Sequence, residues 1–208
     1  MSQPPLTVFY SPAYAVDGKM ETVSKSKLVA GLIESGAAGE VWLEAPKPAT
    51  RRELELIHEA EYVRHTLEDK GAFLEVGPWS QPLLDSILAS TGGMRDAVKE
   101  ALKNGRSGSL SSGLHHARRN SGNGFCQFNG LALAALEALK KAAKDGVVVV
   151  RSTRLPMGLT LRNNEVNDDE MGFVASGELN PPKSRVLLQL ALTKTSDPKR
   201  IQAMFYEY

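Results

Sequence analysis

The stretch Phe128 to Arg151, FNGLALAALEALKKAAKDGVVVVR, decides the fold class. Phe128, Leu131, Ala132, Ala135, Leu136 and Leu139 recur at the 3.6-residue period of a helix. Lys140, Lys141 and Lys144 suit the negative C-terminal end of that helix. Gly146 stops it, and Val147 to Val150 follow as a strand. Four valines without polar alternation predict a strand buried on both faces, as in a parallel sheet.

Working outward, the same vocabulary recurs. Leu6 to Tyr10 reads as a first strand stopped by Ser11-Pro12, and Glu40 to Glu44 as a second. Between them Leu28, Val29, Leu32 and Ile33 keep helical spacing up to Gly36. Thr50-Arg51-Arg52-Glu53 fits a capping box, with one helix expected through Leu54, Ile57, Tyr62, Val63 and Leu67. Asp69 to Ser80 reads as a loop, and a long helix runs from Gln81 to Asn104-Gly105. Gly92-Gly93 inside that helix lowers its propensity by about 1 kcal/mol per glycine; such a pair can mean that something packs close against the backbone. After the valines, Arg151 to Glu170 is polar and irregular. Pro181 or Pro182 opens a helix through Val186, Leu187, Leu190 and Ala191, apolar nearly all round and expected to be mostly buried. Asp197-Pro198 caps a final short helix. The expected fold is α/β, with helices around a short, mainly parallel sheet.

Composition excludes several classes. With 208 residues, 42% hydrophobic and 24% charged, the chain can build one good core or two small ones. A net charge of +1 gives no bulk case for nucleic acid or an anionic membrane. The basic set Arg95, Lys99, Lys103, Arg106, Arg118 and Arg119 lacks interleaved aromatics and reads as a solvated helix face and loop. The single cysteine, Cys126, excludes an intrachain disulfide framework and reads as a small buried packing residue. No apolar run spans a bilayer and the N-terminus has no secretory pattern, so a cytoplasmic setting is expected.

The strongest local signal is Gly113-Leu114-His115-His116-Ala117 followed by Gly124-Phe125-Cys126-Gln127-Phe128-Asn129. It lies in a glycine- and serine-rich segment, Gly105 to Gly124, too long for an idle connection. Adjacent histidines there can act as general base and electrostatic partner near neutral pH, or be loop residues with no role. Together with Ile57-His58, Tyr62-Val63, Pro78-Trp79-Ser80 and Ala89-Ser90-Thr91-Gly92-Gly93, the pattern resembles the zinc-dependent histone deacetylase and acetylpolyamine amidohydrolase family over residues 6 to 139. The resemblance implies an arginase/deacetylase-like N-terminal part, with His115 and His116 carrying proton transfers and Gly124 and Phe125 lining an acyl-lysine channel. That family holds zinc through an Asp-x-His pair after the strand. No Asp-x-His occurs here, so no metal or other cofactor is expected in this chain.

Residues 138 to 208 resemble the C-terminal end of bacterial type II L-asparaginases, through Arg151-Ser152-Thr153-Arg154, Asn164-Glu165-Val166, Gly172-Phe173-Val174-Ala175 and Leu179-Asn180-Pro181. That resemblance implies a C-terminal domain that lends a glutamate, here Glu165, to a neighbouring subunit's site; a solvated loop acid is the other reading of Glu165. The expected domains are 1–139, deacetylase-like, and 140–208, asparaginase C-terminal-like, joined as a chimera. The expected function is a deacetylase-like amidohydrolase acting on acetyl-lysine or acetylpolyamine, impaired by its missing zinc ligands. The alternatives are an asparaginase-like subunit fragment and a non-enzymatic binding module. The expected partners are a small-molecule or acetylated-amine substrate and a second copy of the chain, with no nucleic acid and no membrane.

Overall fold

The computed structural model describes residues 5–16, 21–68, 78–155 and 157–208; the expected loop from Asp69 to Ser80 lies outside the described residues up to position 77. The chain forms two compact units, the first up to Ala138 and the second from Leu139.

In the first unit, strand β1 (Leu6–Phe9) is central. It pairs in parallel with β2 (Val41–Glu44) from Leu6↔Val41 to Phe9↔Glu44, and in parallel with the two-residue β3 (Gly108–Ser109) on its other side. Parallel pairing requires long crossovers. Helix α1 (Glu21–Glu34) supplies the first. The second comprises α2 (Arg51–Leu54), α3 (Ala60–Glu68) and α4 (Gln81–Asn104). The core gathers Leu54, Val63, Ile87, Leu114, Phe128 and Leu133.

Local chemistry explains where these elements begin and end. The Thr50 hydroxyl accepts from the Glu53 N–H while the Glu53 carboxylate accepts from the Thr50 N–H, a complete capping box. Thr50→Ala is expected to cost about 1 kcal/mol, read as a fall in the urea midpoint at unchanged slope; an unaltered midpoint would mean that α2 does not depend on its cap. The single helix expected from Thr50 is broken between α2 and α3, because the His58 side chain turns inward there to bond the loop described below. Helix α4 ends on Gly105 at φ +82°, the left-handed position glycine takes without strain.

Gly92 and Gly93 are where two segments press on α4. A Cβ on Gly92 would meet the backbone of Lys47 and Ala49, and one on Gly93 would meet the hydroxyls of Tyr14 and Ser109. Tyr14 is buried, which pushes its phenol up to about 12. The basic face expected on α4 is only partly solvated. Arg95 is buried, ion-paired to Glu53 at 2.7 Å and Asp96 at 2.8 Å, and donates to the Lys47 carbonyl at 2.7 Å. A charge buried this deeply requires such partners.

Helix α5 (Gly130–Lys144) forms as expected but turns a different face inward. Gly130, Leu133, Ala134 and Leu136 are buried, while Leu131 and Leu139 stay exposed. The apolar stripe of α1 is likewise outward, with Leu28, Val29 and Leu32 exposed and Ala30 buried.

The second unit holds strands β4 (Val149–Arg151) and β5 (Phe173–Ala175), paired in parallel with Val149 opposite Phe173. Helices α6 (Asp168–Met171), α7 (Pro181–Leu192) and α8 (Pro198–Glu207) complete it. Its core is Val174, Ala191, Ile201 and Phe205. Asn180 and Asp197 cap α7 and α8, each followed by proline. Two expectations are corrected. Val147 lies before β4 and is exposed, and only Val149 of the four valines is buried, because among the described residues β4 pairs with β5 alone. Helix α7 buries only Ser184 and Ala191; Val186, Leu190 and Leu192 are exposed. The second unit is thus an α/β arrangement like the first, as the sequence implies. Among the described residues no helix is long and apolar enough to cross a membrane.

Candidate functional site

His58 organises the loop that carries the paired histidines. Its Nε2 accepts the Asn129 backbone N–H at 3.0 Å, so the ring proton sits on Nδ1, which donates to the Arg118 carbonyl at 2.7 Å. One buried imidazole thereby ties both ends of residues 118–129. Burial holds His58 below its ordinary value of 6.5, with the Arg119 charge adding to the effect against the hydrogen bonds to the Arg118 and Arg119 carbonyls. The ring stands 5.5 Å from those of Tyr62 and Phe128. The Tyr62 hydroxyl donates to the Gln127 carbonyl at 2.7 Å. Asn129 finishes the brace: its amide donates to the carbonyls of His115 and Ala117, and its side-chain oxygen accepts the Ala132 N–H at the start of α5.

His115 and His116 face solvent, their ring centroids 4.1 Å apart. They are turned outward because Leu114, at φ +50°, directs its own side chain into the core. Left-handed backbone at a leucine costs about 1–2 kcal/mol, which burial of the side chain offsets. Among the described residues neither histidine ring has a hydrogen-bond partner, so no carboxylate orients either one as a general base. Gly124 and Phe125 form the tip of a tight turn closed by reciprocal bonds between Asn123 and Cys126, with Gly124 at φ +57° and Phe125 half exposed. Cys126 is buried and free. No three His, Cys, Asp or Glu side chains among the described residues gather in a metal-binding cluster.

The second unit places Glu165 in a different environment. Its carboxylate, 44% exposed, meets Arg151 at 2.6 Å. Arg151 grips Asp168 with two parallel bonds of 2.7 Å, and Asp168 is fully buried. The Asp168 hydrogen bonds raise the Arg151 guanidinium above its ordinary value, against burial and with help from Glu165. A second arginine, Arg162, pairs with Asp169 and donates to the Phe173 carbonyl and the Gln202 side chain. Asn163 and Arg162 hold the Asp169 carboxyl below its ordinary value. Arg151 on β4 thus holds Leu161, Glu165 and Asp168, Arg162 reaches the Phe173 carbonyl of β5, and Thr160 and Gly177 exchange backbone hydrogen bonds. Arg151 and Asp168 carry no local spacing signal, since they stand 17 residues apart.

Comparisons with known proteins assign this architecture. The family model described as Glutaminase/Asparaginase C-terminal domain matches residues 87–205. The chain is 46% identical over 129 residues to the "Probable L-asparaginase periplasmic" of Haemophilus influenzae, covering 62% of this chain and 34% of that protein. It is 56% identical over 75 residues to L-asparaginase 2 of Escherichia coli, covering 36% and 22%. It is 49% identical over 72 residues to a glutaminase-asparaginase of Acinetobacter glutaminasificans, covering 35% and 22%. The chain thus spans about a third or less of the length of these relatives. They correct the expected function: the named relatives are asparaginases and a glutaminase-asparaginase, not deacetylases of acetylated amines. The match also runs through His115, His116, Gly124 and Phe125, and none of these findings supports a deacetylase-like part or a chimera. With more than half of its residues inside that model, the chain belongs to the glutaminase/asparaginase C-terminal domain family.

Proposed function

We propose that this chain supplies the glutamate side of an asparagine- or glutamine-hydrolysing site whose nucleophile comes from another polypeptide. The observation that carries this reading is Glu165, half exposed yet held by an arginine that is anchored on a buried aspartate. An ionised carboxylate in that setting can receive and orient the ammonium group of an amino-acid substrate, but cannot attack an amide; that step needs an activated nucleophile. Its proposed partners are a small amide substrate and a chain bearing the nucleophile.

The test is ammonia release from asparagine and glutamine. The chain alone is expected to stay at the buffer rate. Co-expressed with an L-asparaginase 2 chain whose own matching glutamate is changed to alanine, it is expected to restore hydrolysis, and Glu165→Ala in this chain to abolish that gain. Hydrolysis by the chain alone, untouched by Glu165→Ala, would overturn the reading, as would co-purification of the two chains without any gain.

A further inference from the structure

Arg151 and Asp168 form a directed chain of contacts ending on Glu165. Arg151 Nε and Nη2 donate to Asp168 Oδ1 and Oδ2, each at 2.7 Å. Asp168 Oδ2 also accepts the Asn163 backbone N–H at 2.8 Å, and Arg151 Nη2 donates to the Leu161 carbonyl at 3.1 Å. The guanidinium plane is therefore set from its buried side, and its remaining Nη1 edge points at Glu165 Oε2, 2.6 Å away. The two carboxylates differ in burial: Asp168 is fully inside, whereas Glu165 is half exposed. An ion pair in water contributes little to stability, so the Arg151–Glu165 contact matters for the direction of the carboxylate rather than for holding the fold.

We propose that Arg151 is a positioning residue for Glu165, and that buried Asp168 is the anchor that lets it be one. The proposal rests on the reading of Glu165 given above. A lysine at position 151 keeps the charge but has no planar fork, so it cannot bond Asp168 in parallel and Glu165 at once.

Two measurements test this on the full chain. By NMR, wild-type Glu165 is expected to show two resolved β-proton resonances, and Arg151→Lys to merge them toward a single averaged signal. Glu165→Gln is expected to leave the Arg151 Nε–H protected from exchange, because Asp168 still holds it, whereas Asp168→Asn exposes it. In the mixed assembly with the glutamate-deficient asparaginase chain, Arg151→Lys is expected to raise the KM for asparagine about tenfold, the loss of roughly one charge-assisted hydrogen bond, with kcat within about twofold. Resolved Glu165 β-protons in Arg151→Lys, or loss of the Arg151 Nε–H in Glu165→Gln, would overturn the positioning order even if Asp168→Asn fails to fold. Glu165→Ala without effect on the assembly would instead defeat the reading of Glu165 itself. A Glu165→Ala loss alongside an unchanged KM in Arg151→Lys would defeat the positioning role alone.

Discussion

Replacing His58 by alanine is expected to cost about 3 kcal/mol, a large part of the roughly 5–15 kcal/mol that stabilises a domain. Two losses add. The buried ring contacts to Tyr62 and Phe128 go, and the Asn129 N–H and Arg118 carbonyl lose their shared partner. Urea unfolding checks it; a midpoint shift worth less than about 1 kcal/mol would mean that water replaces the imidazole without penalty. The same residue sets a pH dependence. In the folded chain burial lowers the His58 value below 6.5, so around that pH the unfolded chain binds more protons. Its contribution to stability is complete above 6.5 and is lost as the pH falls from there through the lowered folded value. Protonation would also place a proton on Nε2 facing the Asn129 N–H. The unfolding midpoint is expected to fall between pH 7.5 and 5, and to fall less in His58→Gln, which cannot titrate. Equal slopes in the two proteins would assign the acid sensitivity elsewhere.

Gly92→Ala is expected to cost about 3 kcal/mol, at the upper end for overpacking. The added methyl would press on the backbone of Lys47 and stand 2.9 Å from the Ala49 nitrogen. That segment cannot withdraw easily. The Ala49 N–H donates to the Leu88 carbonyl at 2.9 Å, the Lys47 N–H to Asp96 at 2.9 Å, and the Lys47 carbonyl accepts from buried Arg95. Gly31→Ala is the matched control, since nothing lies within 4 Å of a Cβ there. Within α1 it is expected to stabilise by about 0.5–1 kcal/mol through helix propensity. Thermal unfolding of both variants checks the pair, and a Gly92→Ala protein as stable as the parent would show that the Lys47–Ala49 segment yields.

Much of the architecture was legible because its causes are local. Thr50 with Glu53, Asn180 with Pro181 and Asp197 with Pro198 each satisfy helix-end N–H groups within a few residues of chain. Gly36, Gly105 and Gly146 take the left-handed backbone their positions require. The Gly92-Gly93 pair told of a close approach, though not of Lys47 and Tyr14 as the neighbours. Of the candidate site, the positions of Glu165 and the histidine pair were visible, but their surroundings were not.

The sequence by itself determined the longer helices with their caps and stops, the strands β1, β2 and β4, and a mainly parallel sheet; β3, β5, α6 and the break between α2 and α3 came only with the tertiary structure. Tertiary structure alone decided which apolar faces find a partner: Val186, Leu190 and Leu192 of α7 and Leu28, Val29 and Leu32 of α1 remain exposed, and one valine of four is buried. It also decided the contacts that matter most, His58 with Arg118 across 60 residues and Arg151 with Asp168 across 17. The physical reason is range. Caps, turns and periodicity depend on groups a few bonds apart, whereas burial and ion pairing depend on which distant segment the folded backbone brings alongside, and no spacing along the chain encodes that.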